Sequence, residues 1–309
     1  MSLRVAYIDA HRDEFGVEPI CRAWEDTPAQ IAPSSYYAAK HRAPSARSVR
    51  DEELCQKIVE IHTGNYDVYG VRKVRAALVR SGERVAESTV RRLMRELGLR
   101  GISRAKGPRT TKPAPETDRP VDLVNRAFTA SRPNELWVAD ITYVTTFSGW
   151  VYVAFVLDVY SRMIVGWQTA TSLYTDLALD ALRMGIWQRE HAGHDLAGLV
   201  HHSDRGVQYR AVRYTDRLQE CAAVTSVGSK GDSYDNAMAE ALNSLYKAEL
   251  VRNKGPWESI DDLELATAEW VDWYNQRRLH GELGHIPPIE HENLYWAAHP
   301  TRELATNTR

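Results

Sequence analysis

Three acidic residues stand where an acid is unexpected. Asp140 interrupts the apolar run Leu136-Trp137-Val138-Ala139-Asp140-Ile141-Thr142-Tyr143-Val144. A carboxylate buried there without a partner would cost several kcal/mol, so a strand tolerates one only where it faces a metal or a cleft. Asp204 follows the next apolar strand, in His201-His202-Ser203-Asp204-Arg205-Gly206, and ligand-binding residues of α/β sheets favour strand ends. Glu240 sits one turn into the helical run that opens at Asp235-Asn236-Ala237. Three carboxylates on two strands and a helix can converge over one face of a sheet. Such a hard-oxygen set suits Mg²⁺, which is commonly held by a few carboxylates and by substrate phosphates. Two such ions can activate an attacking oxygen and stabilise a leaving one in phosphodiester chemistry.

Taken singly, each acid reads more simply as a helix cap or a surface ion pair, and Asp158 has nothing beyond its place at a strand end. Spacing sets the triplet apart. Thirty-five residues separate Asp204 from Glu240, and Lys247 follows seven residues after Glu240. Two helical turns place Glu240 and Lys247 on one face, where the lysine can reach a phosphate. His201 and His202 read as packed or hydrogen-bonded side chains rather than zinc ligands, since metal-dependent phosphoryl transfer requires no histidine base.

The elements that must position these groups follow from periodicity. Leu136–Thr146, Trp150–Asp158 and Arg162–Thr169 read as strands rich in Val, Ile, Tyr and Trp. Asp176–His191 reads as a helix, Leu199–His202 as a short strand, Tyr209–Cys221 as a helix, Ala223–Val227 as a strand and Asp235–Leu250 as a helix. Three strands in succession followed by alternating helices and strands predict an α/β domain with a mixed sheet, over residues 134–252. Beyond it, 253–309 reads as a long helix from Ile260 to Arg278, a Pro287-Pro288 loop and a fraying tail. Trp137, Trp150 and Trp167 fall in strands and Trp187, Trp270 and Trp273 at helical spacing, so most are expected in the core. Residues 228–232, with Lys230, read as a loop that either grips DNA or simply connects.

Upstream, the pattern is helical and basic. Residues 1–48 read as a small helical segment, either a helix-turn-helix or a plain hairpin. In 49–100, Leu54, Ile58 and Ile61 mark one helix face. A second helix turns Val71, Val74, Leu78 and Val79 inward with Arg72, Lys73, Arg75 and Arg80 outward. A third alternates Val90, Leu93 and Met94 with Arg91, Arg92 and Arg95, and Gly98 closes it. That is a helix-turn-helix layout. From Tyr69 to Lys112 there are 13 Lys and Arg against three Glu, although the 309-residue chain carries a net charge of -2. Charge segregated in this way points to a polyanion, nucleic acid above all, the plainer alternative being a solvated helical surface. Residues 101–133 have the Pro/Gly composition of a linker.

Composition (hydrophobic 43%, charged 26%) excludes wholesale disorder, a collagen-like fibre and a disulfide scaffold. The longest apolar run, Trp150–Leu157, is too short to span a bilayer. Cys21, Cys55 and Cys221 are odd in number and far apart, the usage of reduced thiols in a cytoplasm. Cys55 and His62 lack partners at ligand spacing, so no structural zinc is expected.

In order, Tyr69-Gly70-Val71-Arg72-Lys73, Asp140, Asp204-Arg205-Gly206, Asp235-Asn236-Ala237 leading to Glu240 and Lys247, Tyr274-Asn275 with Arg277-Arg278 and His280, and Pro287-Pro288 closely resemble the DDE transposases. Among these the chain is similar to the long second-frame protein of the IS-three family of bacterial insertion sequences, relatives of retroviral integrases. The resemblance implies an RNase H-like core between an N-terminal helical, helix-turn-helix region and a C-terminal helical segment. It implies Asp140, Asp204 and Glu240 as catalytic ligands of two Mg²⁺ or Mn²⁺ ions. Water would cut the element's 3′ end, and the freed hydroxyl would attack another strand with no covalent protein–DNA intermediate. Asn236 would orient the glutamate or touch the scissile phosphate, and Arg277 and His280 would lie near the DNA. Further implied are an oligomer on paired ends of double-stranded DNA and, because no heptad zipper is visible, fusion to or association with the first-frame helix-turn-helix protein. Two other readings are a non-catalytic DNA-binding regulator and a nuclease acting on RNA–DNA hybrids, against which the DNA-binding flanks argue.

Overall fold

The computed structural model describes residues 2–103, 129–203, 208–209, 211–227 and 237–299. Asp204, Lys230 and Asn236 lie outside these residues, as does most of the expected linker. The chain divides into two compact units, residues 1–57 and 58–309, the division falling within helix α4.

The first unit is built from α1 (Ser2–Phe15), α2 (Val17–Ala23), α3 (Pro33–His41) and the start of α4 (Ala46–Thr63). Pro33 opens α3, where a missing N–H costs nothing. Ile8, Ile20, Cys21, Ile31 and Tyr36 form a small core, and the Tyr36 hydroxyl donates to Asp9 Oδ1 at 2.7 Å.

In the second unit α5 (Val71–Arg80) and α6 (Glu87–Glu96) bury Val74, Leu78, Val90, Leu93 and Met94. Val79, expected inward, is 48% exposed; with Leu78 fixed in the core, one step of about 100° turns its neighbour out. Gly98 ends α6 at φ +71, and its N–H reaches the Arg95 carbonyl while that of Leu99 reaches Met94. This left-handed cap favours glycine, since a Cβ there is strained.

The core of the second unit is a five-stranded sheet in the order β3-β2-β1-β4-β5. β1 (Leu136–Thr146), β2 (Gly149–Asp158) and β3 (Ile164–Ala170) form an antiparallel meander. β4 (Val200–Ser203) and β5 (Val224–Val227) add in parallel on the far side of β1. The alternation along β1 sends Trp137 and Ala139 to one face, where they pack with α7 (Thr175–His191) and α8 (Val212–Glu220). On the opposite face, Phe155 meets Tyr246 at the end of α9 (Ala237–Tyr246) and Trp270 of α11 (Ile260–Gln276). Between these helices lie a wide π turn at Lys247–Val251 and the short α10 (Arg252–Lys254). The mixed α/β sheet with helical flanks is thus present as expected.

β3 starts two residues later than its composition suggests. Arg162 sits at φ +63 in the β2–β3 turn, which buried Asp158 fastens by accepting from the Ser161 N–H and hydroxyl at 2.8 and 3.0 Å. Pro287-Pro288, expected to be a loop, instead begins α12 (Pro288–Ala298). Proline at the first helical position is preorganised for a helix, and α12 is fixed by buried Glu292, which pairs with Arg189 of α7. Trp150 and Trp187, at 54% and 57% exposure, are not core residues, unlike Trp137, Trp270 and Trp273.

β3 and α7 approach too closely for a side chain at Gly166, where a Cβ would lie 2.0 Å from the Ala181 carbonyl oxygen. Gly166→Ala should therefore cost about 3 kcal/mol through forced backbone movement. A denaturant midpoint equal to that of the parent protein would refute this close approach.

Candidate active site

Asp140 lies within β1, opposite Phe155 of β2. Among the described residues β4 pairs with β1 from Leu136↔Val200 to Ala139↔Ser203, so Asp140 directly follows the last of these pairs. One Asp140 oxygen, Oδ1, accepts from the Ile141 N–H at 2.9 Å. The other, Oδ2, accepts from Nδ2 of Asn243 at 2.9 Å.

Asn243 belongs to α9, one turn beyond Glu240, so the helix bearing the second acid is tied directly to the first. Glu240 is exposed near the start of α9. Lys247 opens the π turn and lays its ammonium 4.6 Å from the centre of the Tyr143 ring. Burial lowers its pKa, Arg252 lowers it further, and Tyr143 and Asp140 oppose the shift. A widened turn of this kind often marks a functional stretch of helix. Asn243 was not singled out in the sequence reading. Its signal is a buried amide amid Ala-Leu-Asn-Ser-Leu-Tyr, on the face shared with Glu240.

The two histidines beside Asp204 are packed, as expected. His201 Nε2 is 3.0 Å from the Tyr214 hydroxyl, and His202 Nδ1 is 2.9 Å from Ser226 Oγ. Desolvation drives the His201 pKa down to about 3, which leaves it uncharged. Between pH 3 and the ordinary 6.5 the unfolded chain takes up a proton that the folded chain refuses. The contribution of His201 is therefore fully present above 6.5, and it falls by up to about 1.4 kcal/mol per unit as the pH drops through that window. His201→Phe should flatten the stability–pH curve from 6.5 to 5. An unchanged slope in denaturation series would contradict this burial.

The basic residues expected at DNA lie on several surfaces. Arg72 and Arg95 are exposed, and Lys73 sits 5.1 Å from the Tyr69 ring centre. Arg75 Nε donates to the Val85 carbonyl at 3.2 Å. Arg91 pairs with Glu87 at 2.5 Å and Arg92 with Glu96 at 3.1 Å along α6. Arg277 is exposed, 4.0 Å from Asp272. His280 is only 8% exposed, edge-on to Tyr274 and against Arg278. Burial and the Arg278 charge keep it neutral. In this fold His280 is a packing group rather than a surface contact.

Residues 130–233 and 223–288 match integrase core domain families, and residues 49–107 match an HTH-like domain. Two curated relatives are similar along most of their length. The putative transposase for insertion sequence element IS986/IS6110 of Mycobacterium tuberculosis is 52% identical over 268 residues, 86% of this chain and 96% of the relative. The transposase for insertion sequence element IS629 of Shigella sonnei is 47% identical over 306 residues, 96% and 98% of the two chains. Among solved structures, the HTLV-2 integrase catalytic core domain in complex with magnesium aligns with a TM-score of 0.42 at 13% identity, covering 53% of this chain and 99% of that one.

Proposed function

The chain belongs to the IS-three family of insertion-sequence transposases, DNA-binding polynucleotidyl transferases with an RNase H-like core, and on that premise we propose that Asp140, Asp204 and Glu240 form its catalytic carboxylate set. The observation that carries this reading is the bond from Asn243 to Asp140, which ties the Glu240 helix to the strand bearing Asp140.

The residues fit divalent ions of the Mg²⁺ or Mn²⁺ type. Asp140 offers a carboxylate beside α9, Glu240 is exposed, and the buried Oδ1 of Asn243 has no hydrogen-bond partner among the described residues. Such an orphaned acceptor beside a carboxylate suits the protons of an ion's water shell. When bound, two ions would supply an activated attacking oxygen and charge stabilisation at the leaving one. The chain's own residues do the rest. Asn243 fixes the Asp140 carboxylate, and Lys247 brings positive charge toward phosphate. With water and then a DNA hydroxyl as nucleophiles, no side chain is consumed. Arg72, Lys73, Arg75, Arg91, Arg92, Arg95, Lys230, Asn236 and Arg277 are proposed DNA contacts.

Nicking of labelled DNA bearing the element's ends tests this reading: 3′-end cleavage should need Mg²⁺ and stop in EDTA. Cleavage that persists in EDTA, or that occurs on RNA–DNA hybrids alone, would refute it. Asn243→Ala should weaken apparent Mg²⁺ activation about tenfold to a hundredfold, the usual cost of losing a group that orients a ligand. An unaltered Mg²⁺ dependence would remove Asn243 from the site. Action as an oligomer on paired ends, alone or with the first-frame protein, is part of the same proposal, and light scattering that shows a monomer with paired ends present would exclude it.

A further inference from the structure

The β1–β2 hairpin turns aromatic rings outward. In the register Tyr143↔Tyr152 and Thr145↔Trp150, Tyr143 and Trp150 are diagonal neighbours, within reach of each other as such pairs are. Their rings meet edge to face with centroids 5.3 Å apart, and both side chains are exposed. The hairpin tip is anchored. The N–H groups of Phe147 and Ser148 donate to the Trp257 and Glu258 carbonyls at 3.0 and 3.2 Å, and the Ser148 hydroxyl donates to Glu258 at 2.8 Å. Exposed rings on an anchored ribbon form a surface that binds with little loss of side-chain freedom.

Cations border these rings. Lys247 lies over Tyr143, and Arg252, itself exposed, stands one π turn further on, its N–H donating to the Lys247 carbonyl. Lys247 stands four residues, about one turn, beyond Asn243, which is bonded to Asp140, so the cation over Tyr143 links the ring to the Asp140 end of α9. Covering this patch with an apolar protein surface would take an ammonium and a guanidinium out of water. A nucleotide satisfies both features, its base against a ring and its phosphates against the cations.

We propose that Tyr143 and Trp150, flanked by Lys247 and Arg252, form a stacking platform for an unpaired base of the DNA strand whose phosphate enters the site at Asp140. The proposal rests on the assignment of Asp140 given above. Stacking on a ring is tolerant of sequence because every base has a π face, so the platform would steady a frayed end whatever base it carries.

The test is fluorescence anisotropy on the full chain with a short single-stranded oligonucleotide, intact or with abasic sites, at high salt and with EDTA present. High salt suppresses the phosphate contribution. EDTA makes the result independent of whether the carboxylates hold ions, so failure here and failure of the metal assignment remain distinguishable. The parent protein should bind the intact strand about tenfold more tightly than the abasic one. The Tyr143→Leu/Trp150→Leu double variant should bind both at the abasic level, and a Tyr143→Phe/Trp150→Phe variant should retain the preference. A base preference that survives in the leucine variant overturns the proposal, as does an equal loss of affinity for both strands. If the leucine variant instead passes from dimer to monomer in light scattering with its base preference intact, the surface serves a second copy of the chain and the platform is excluded.

Discussion

Arg278→Met should destabilise the protein by about 3–5 kcal/mol, whereas Arg278→Met combined with Glu249→Leu should recover most of that loss. Arg278 Nε and Nη2 donate to the two Glu249 oxygens at 2.8 and 2.5 Å, with both side chains at 5% exposure or less. The guanidinium also lies 5.9 and 5.4 Å from the Trp273 and Tyr274 rings. Removing the cation alone leaves a carboxylate in low dielectric, and that uncompensated charge dominates the cost. Removing both charges leaves shape and apolar contact largely intact. The pair joins the segment after α11 to the π turn after α9, and Leu279 extends the connection by donating its N–H to the Tyr69 hydroxyl at 2.7 Å. Urea denaturation of the two single variants and the double variant checks the cycle. Strictly additive losses would show that the pair is not coupled.

Asp140→Asn should bind end DNA as the parent protein does, yet cleave it at least about a thousandfold more slowly. The substitution preserves shape, and the Asn243 amide can still donate to the carbonyl oxygen of the new side chain, with only the bond from the Ile141 N–H given up. What is lost is one formal negative charge and a hard anionic ligand. A metal's charge stabilisation is worth several kcal/mol in such a transition state, and about 4 kcal/mol corresponds to three orders of magnitude in rate. Single-turnover cleavage beside a binding isotherm separates the two effects. A variant that cuts at the parental rate would displace Asp140 from the mechanism, and one that loses binding and cleavage in parallel would make it structural.

Asp140 and Glu240 were legible in the sequence because a charge inside a Val- and Trp-rich run, or at fixed spacing before a lysine, violates local patterning. β1 and β2 were legible for the same reason, since their β-branched and aromatic content leaves little choice. What escaped depends on partners distant in the chain. Pro287-Pro288 reads locally as a break, but α12 is held by Glu292 meeting Arg189, 103 residues away. Asn243 is an ordinary helical amide until β1 is packed against α9. Asp158 shows only its place at a strand end in the sequence, yet it is fully buried and accepts from the Asn134 N–H, Trp137 Nε1 and Ser161. Arg162 starts no strand because the turn fixed by Asp158 requires its positive φ. Trp150 has the composition of a core strand residue, and only the end of the sheet reveals it as surface.

The most direct test is to count Mn²⁺ ions bound to the chain on its end DNA by electron paramagnetic resonance, for the parent protein and for Asp140→Asn, Asp204→Asn and Glu240→Gln. Two ions per active site in the parent and fewer in each variant are expected if these three acids hold the metals. The same stoichiometry and affinity in all four proteins would contradict the carboxylate assignment.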